Sequence, residues 1–82
     1  MSTMYETLVD LLVDKFQVDR EEIRPGITFE DLEMDSLFLV ELLLEVQTAT
    51  GVRIDEDTAS PRDTLEYAAE TIEKRVAAAA SS

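Results

Sequence analysis

Histidine and cysteine are both absent from this 82-residue chain. These are the side chains that proteins use most often as general bases, thiolate nucleophiles and soft metal ligands. Without them the chain cannot assemble a Ser-His-Asp triad or a Cys-His pair. It also has no disulfides, and we expect it to work in the cytosol.

Long apolar runs are missing as well. Runs of large apolar residues are short, as at 37–40 and 42–44, whereas a helix needs roughly 20 apolar residues to cross a bilayer. The opening residues MSTMYET show neither the basic nor the apolar stretch of a secretory signal. We therefore expect a soluble protein that does not enter membranes.

Basic residues are scarce: seven stand against nineteen acidic ones, for a net charge of -12. The field of such a domain repels nucleic-acid phosphates and anionic lipid, and it attracts basic protein surfaces. We expect basic-surfaced proteins as partners, with no nucleic acid and no membrane. Acidity could also serve solubility alone, so the placement of the acids along the chain has to distinguish partner binding from solubility.

A chain of this length forms one domain and buries only about 60% of the surface it exposes when unfolded, which leaves little room for an enzyme cleft. No internal repeat or linker interrupts the sequence. We predict a single domain over residues 1–82, with a core of about 4–77 and a frayed tail at 78–82.

Three stretches show the apolar spacing of amphipathic helices. The first runs from about Tyr5 to Phe16, with Ser2 or Thr3 as its cap. The second runs from Ser36 to Thr50 and stops at Gly51, which suits a left-handed C-cap. The third follows Thr64 as cap and extends to about residue 80, before serines that we expect to fray.

Residues 17–34 form a long connection in which apolar residues keep recurring, so we predict a loop held against the core. Short helical pieces are expected at 19–22 and from Thr28, and another turn of helix at 55–59, before Pro61. The predicted fold class is all-α: a small four-helix bundle of three main helices and one short one, with a long loop between the first and second helices.

The second helix carries more apolar surface than one buried face requires. Its expected core face consists of Leu39, Leu43, Val46 and Thr50, with Leu42 on the flank. Glu41 and Glu45 lie opposite this face, and Phe38 lies on their side. Leu37, Val40 and Leu44 fall beside the acids or at the margin. For each of these alone, core packing is as good an explanation as an interface.

Ser36 follows Asp35, whose short acceptor side chain suits the N-cap of the second helix. A serine in that first turn has its hydroxyl in solvent near the positive end of the helix dipole. An attached phosphate would be favourably placed there.

At this motif the chain resembles the acyl carrier proteins, whose hallmark is Asp-Ser-Leu at the start of the second helix. Here the motif is Asp35-Ser36-Leu37, preceded by Phe-Glu-Asp-Leu at 29–32 and followed by Val-Glu-Leu at 40–42. The resemblance covers residues 5–76 and includes Gly-Val at 51–52 and Thr-Leu at 64–65.

The resemblance implies a non-catalytic carrier whose Ser36 bears a 4'-phosphopantetheine arm. A magnesium-dependent phosphopantetheinyl transferase installs the arm from coenzyme A, and its thiol holds acyl groups as thioesters. Expected partners are this transferase, an acyl-loading enzyme, a ketosynthase and other basic-surfaced enzymes of the pathway, met by a monomeric carrier. We assign partner contacts to these residues: Asp35, Leu37, Phe38, Val40, Glu41, Leu44, Glu45, Ile54 and Glu56.

Two departures from the family pattern affect the interpretation. Glu33 occupies a place where the family usually has glycine, and Phe38 stands where fatty-acid carriers often have an acid. The second departure favours polyketide or other secondary metabolism over fatty-acid synthesis. A D-alanyl carrier, a peptidyl carrier and an unmodified acidic interaction module remain alternatives.

We expect no metal site. A calcium loop can be aligned from Asp55, but Ala59 then occupies a ligand position, Ser60 replaces the turn glycine, and Pro61 follows.

Overall fold

Three α-helices and one short 3-10 helix make up the regular structure of residues 3–81, the part of the chain that the computed structural model describes. Helix α1 spans Thr3–Asp14, α2 spans Ser36–Thr50 and α3 spans Leu65–Ser81, while the 3-10 helix is Arg20–Glu22. Helix α1 packs against both α2 and α3. The all-α prediction is confirmed, and α2 has the predicted bounds.

One apolar core joins the helices. Its buried members on α2 include Leu39, Leu42, Leu43 and Val46, which confirms most of the predicted core face, whereas Thr50 is only half-buried. The remaining buried apolar residues come from every part of the fold: Met4, Leu8, Val9, Leu12, Ile27, Phe29, Met34, Ile54, Ala59, Leu65, Ala68, Ala69 and Ile72.

Tyr5 on α1 lies partly buried against this core. Burial raises the pKa of its phenol, and the Glu66 carboxylate raises it further. Because the ordinary pKa of tyrosine already lies near 10, this phenol stays neutral at physiological pH.

The long connection between α1 and α2 is held to the segment that leads into α3. Backbone N–H groups of Phe29 and Glu30 donate to the carbonyls of Asp63 and Pro61, at 3.3 and 2.8 Å. The Leu65 N–H in turn donates to the Ile27 carbonyl at 2.8 Å. These hydrogen bonds, together with the burial of Phe29, fix the path by which the chain reaches α2.

Side-chain caps set the turns along this path. Thr28 Oγ1 accepts from the Asp31 N–H at 3.0 Å, and Asp31 Oδ2 accepts from the Thr28 N–H at 3.4 Å, which confirms a turn starting at Thr28. Thr64 caps α3, since its Oγ1 accepts from the Tyr67 N–H at 3.1 Å. Asp19 precedes the 3-10 helix without a capping hydrogen bond from its side chain.

Three local expectations differ from the structure. Residues 55–59 form one hydrogen-bonded turn, closed by the Thr58 N–H on the Asp55 carbonyl at 3.0 Å, and not a helix. Thr3 is the first described helical residue, so it is not the cap of α1, and α3 continues through Ser81 into the expected tail. The serines at 2 and 82 lie outside the described residues.

The described helices include none that is long and apolar enough to cross a membrane.

The Thr58 side chain is buried, and its Oγ1 has no hydrogen-bond partner among the described residues. A buried hydroxyl without a partner loses its hydration with no compensating bond. We expect Thr58→Val to raise the free energy of unfolding by about 1 kcal/mol in urea titrations. Thr58→Ser keeps the hydroxyl and loses a methyl group, so it should destabilise the fold; equal stabilisation by both variants would contradict this explanation.

Candidate functional site

Ser36 is exposed and is the first residue of α2. Asp35 stands before it in extended conformation as the N-cap, and its Oδ1 accepts a hydrogen bond from the Phe38 N–H at 3.1 Å. The Asp35 carbonyl accepts from the Leu39 N–H at 3.1 Å. The helix therefore begins at a fixed place and presents the Ser36 hydroxyl in its first turn.

The chain enters this site through a left-handed residue. Glu33 has φ 61°, and its neighbour Met34 is buried with its N–H donating to the Phe29 carbonyl at 2.9 Å. A side chain at such a φ crowds its own backbone, whereas glycine does not. The structure thus gives a physical reason why glycine would suit this position better than glutamate.

Removing that crowding should stabilise the protein. We expect Glu33→Gly to raise the free energy of unfolding by about 0.5–1 kcal/mol. This is the strain energy that the substitution relieves, minus the free-energy cost of the extra conformational entropy that glycine loses on folding. Glu33→Ala is the matched control, because it removes the charge and keeps the Cβ. If urea titrations showed the same gain for both variants, charge and not backbone conformation would be the cause.

Two adjoining clefts lie between α2 and the segment before α3. The first, of about 440 Å³, is lined by Ser36, Leu39, Val40, Glu56, Asp57, Ala59, Ser60 and Pro61. The second, of about 580 Å³, is lined by Val40, Leu43, Leu44, Gln47, Arg53, Ile54, Asp55, Glu56 and Asp57. Val40, Glu56 and Asp57 border both, so a cleft with apolar residues and several acids, together with Arg53, leads away from Ser36.

The exposed side of α2 combines large apolar side chains with acids. We call Leu37, Phe38, Glu41, Leu44 and Glu45 the α2 ridge. Leu37, Leu44 and Phe38 are 66, 54 and 44% exposed, Glu41 is exposed and Glu45 is half-buried. The helix contains no lysine or arginine. The ridge is therefore apolar and negatively charged throughout its length.

Five of the nine residues predicted for partner contact form this ridge. Asp35 and Glu56 are exposed and Val40 is half-buried beside the clefts. Ile54 is only 5% exposed, and its N–H donates to Gln47 Oε1 at 2.7 Å. Its side chain lies in the core and also borders the second cleft, so direct contact of Ile54 with a partner stays a prediction.

Sequence reasoning missed two features of the site. Ala59, Ser60 and Pro61 reach the cleft beside Ser36 from a distant part of the chain, and no local signal points to that contact. Phe16 meets Phe38 edge to face, with ring centroids 6.3 Å apart and an interplanar angle of 77°. The apolar spacing of α1 predicts that Phe16 packs toward the core, but it does not predict the contact with Phe38 on α2.

Among residues 3–81, no cluster of three or more acidic side chains is arranged to hold a metal ion.

Comparison with known proteins agrees with the geometry. The family model described as "Phosphopantetheine attachment site" matches residues 6–72. The acyl carrier protein of Rubrobacter xylanophilus is 37% identical over 68 residues, covering 82% of this chain and 84% of that protein. The acyl carrier protein of Amoebophilus asiaticus is also 37% identical, over 78 residues, covering 94% of this chain and 98% of that protein.

A third relative, the acyl carrier protein of Lactobacillus johnsonii, is 30% identical over 70 residues, covering 84% of this chain and 88% of that protein. The family match and these relatives both extend over most of the described fold. The chain belongs to the acyl carrier protein family, carriers whose cofactor is a covalently attached 4'-phosphopantetheine.

Proposed function

We propose that Ser36 is the attachment residue for 4'-phosphopantetheine and that the chain carries acyl groups as thioesters on it. The observation that carries this proposal is the exposed Ser36 in the first turn of α2, where it lines a cleft. The region matched by the family model contains one other serine, Ser60, which is half-buried and whose Oγ accepts from the Arg62 N–H at 3.3 Å.

The residues around Ser36 fit a phosphate ester. The first N–H groups of a helix have no acceptor within the helix and attract negative charge. Asp35 engages the Phe38 N–H and not that of Ser36 or Leu37. When attached, the group supplies the thiol that this cysteine-free chain lacks.

In the loading step, the residues of this chain do little chemistry. Ser36 Oγ forms the new bond to phosphorus and gives up its proton, while the nucleotide half of coenzyme A leaves from the broken pyrophosphate bond. The transferase and its magnesium activate the reaction, so Ser36 is a substrate and no general base is needed on the carrier. Asp35 positions Ser36 by fixing the helix start.

The thioester is tested by loading from acetyl-coenzyme A with a broad-specificity phosphopantetheinyl transferase and magnesium. The protein should gain one acetylated arm, and neutral hydroxylamine should then remove the acetyl group and leave a free thiol. A product whose acetyl group resists hydroxylamine, or which yields no thiol, would contradict acyl carriage on the arm.

The α2 ridge is the proposed contact surface for the transferase, for the acyl-loading enzyme and for a ketosynthase. Its acids meet lysine and arginine and accelerate encounter, and its apolar residues give short-range contact that still allows release. Attachment through a flexible arm raises the local substrate concentration once the proteins dock, so tight binding is unnecessary.

Charge reversal tests this electrostatic part. We expect Glu41→Lys combined with Glu45→Lys to lower the kcat/KM of arm transfer about tenfold at low salt, mainly through KM, and less at 0.5 M salt, because screening weakens the lost attraction. The matched control is Glu70→Lys with Glu73→Lys on α3, an exposed and a half-buried acid that change net charge equally. Equal losses in both pairs would assign the effect to net charge and contradict a specific ridge.

For the pathway, we propose polyketide or related secondary metabolism, with fatty-acid synthesis as the alternative. Phe38 supports this choice, since fatty-acid carriers often have an acid at that place. Transfer of the acyl group to ketosynthases of the two types would distinguish them: preference for the fatty-acid enzyme would overturn the choice. D-alanyl and peptidyl carriers would show instead as loading by enzymes that activate amino acids.

We further propose that residues 1–82 act as one domain and that the carrier is monomeric. A symmetric dimer formed through the α2 ridge would bring the acids of both copies into one interface, which opposes self-association.

A further inference from the structure

Phe38 lies at the border between the α2 ridge and the core. At about 100° per residue, it shares one side of the helix with Glu41 and Glu45, while Leu42, one turn further on, is buried. On the other border of the ridge, Val40 and Ser36 line the cleft. Phe38 therefore marks the edge of the ridge that faces α1.

Two contacts hold Phe38 in place. Its N–H donates a hydrogen bond to the Asp35 carboxylate at 3.1 Å. Its ring packs edge to face with the Phe16 ring, with the two centroids 6.3 Å apart. Phe16 is itself partly buried against the core just beyond the end of α1. Such an edge-to-face pair favours one arrangement of the two rings.

A large aromatic side chain held in this way loses little conformational entropy when a partner covers it. Rigid aromatic side chains are for that reason common among the residues that dominate binding energy at protein interfaces. Phe38 is 44% exposed, so nearly half of its surface is free for such a contact. Leu37 and Leu44, which are 66 and 54% exposed, have no ring that could make such a pair.

We propose that Phe38 is a preformed aromatic anchor for partner enzymes, that Phe16 is its positioning residue, and that the docking surface consequently extends from α2 onto the end of α1. This inference rests on the proposed carrier function. The partner it fits has an apolar pocket rimmed by lysine or arginine, because the anchor is flanked by acids on a helix without cations. A second copy of this chain, with its own net charge of -12, does not offer that rim.

The test uses a broad-specificity phosphopantetheinyl transferase as the probe partner and compares KM and kcat for arm transfer. Phe38→Ala should raise KM about tenfold, the size of loss typical of a truncated interface anchor, with kcat little changed. Phe16→Leu keeps the packing on the core but removes the ring, and it should raise KM about threefold. Phe16→Tyr keeps the ring and should behave as the unsubstituted protein.

If Phe16 acts by positioning Phe38, the effects of the two substitutions on KM should not add. In the Phe38→Ala background, Phe16→Leu should have no further effect on KM, because the ring that it supports is already gone. Tyr67→Ala is the matched control, since Tyr67 is an aromatic residue on α3 with 56% exposure. It should leave KM unchanged.

Several outcomes would overturn the inference. An unchanged KM for Phe38→Ala, equal losses for Tyr67→Ala, or fully additive effects of the two phenylalanine variants would each do so. Concentration-dependent dimers in sedimentation, abolished by Phe38→Ala, would identify a second copy as the occupant. If the unsubstituted protein acquired no arm at all, the proposed function would be overturned and this inference with it. Intact-protein mass distinguishes that outcome from the others.

Discussion

Ser36→Ala is expected to abolish attachment of phosphopantetheine completely. The ester bond needs a hydroxyl oxygen, and the described structure offers no equivalent one in the first turn of α2. The fold should be unaffected, because Ser36 is exposed and the helix is capped by Asp35. Intact-protein mass after incubation with coenzyme A, magnesium and transferase measures the loss directly.

Ser60→Ala is the matched control for that variant. Ser60 lines the same cleft as Ser36 and lies within the region matched by the family model. It should acquire the arm as the unsubstituted protein does. Modification that survives in Ser36→Ala but disappears in Ser60→Ala would move the attachment site to the other side of the cleft.

Phe29→Ala is expected to lower the free energy of unfolding by about 3–5 kcal/mol, the usual cost of removing a buried phenylalanine. The ring is only 1% exposed. The residue's backbone also joins two parts of the site: its N–H donates to Asp63, and its carbonyl accepts from Met34. Since domains of this size have a total stability of about 4–12 kcal/mol, much of it should be lost.

Urea titration followed by circular dichroism measures this effect, with Tyr67→Ala as control. Tyr67 is 56% exposed and its N–H, not its ring, makes the cap contact with Thr64, so its truncation should change stability by less than about 0.5 kcal/mol. If Phe29→Ala cost no more than Tyr67→Ala, the long connection would not depend on its anchor in the core.

The features that could be predicted from the sequence are those with a local cause. The bounds of α2 follow from the acceptor side chain of Asp35 and from Gly51, which has φ 73° at the C-cap. The cap at Thr64 likewise depends on residues within one turn of it. Helical spacing also located Leu39 and Leu43 correctly in the core.

The features that could not be predicted arise from contacts between distant parts of the chain. The cleft beside Ser36 needs Ser60 and Pro61 brought against α2 by the hydrogen bonds of the long connection. Ile54 joins the core from the segment after α2, where its N–H donates to the Gln47 side chain. Residues 55–59 have a turn signal that a short helix shares, and only one hydrogen-bonded turn forms there.

The structure separates a buried interior from the exposed side of α2, to which we assign the proposed function. Buried aliphatic residues and Phe29 pack α2 against the rest of the fold, and the exposed side of α2 carries Ser36 and the ridge. A substitution in the core should therefore lower stability before it changes partner recognition. A substitution on the ridge should do the reverse.

The most direct test of Ser36 as the carrier residue is a thiol titration. The chain contains no cysteine, so the purified protein before loading should give no thiol, and exhaustive incubation with coenzyme A, magnesium and transferase should give one thiol per chain. Ser36→Ala should remain at zero. A zero reading for the unsubstituted protein, while a known carrier in the same mixture acquires its thiol, would contradict the proposed function.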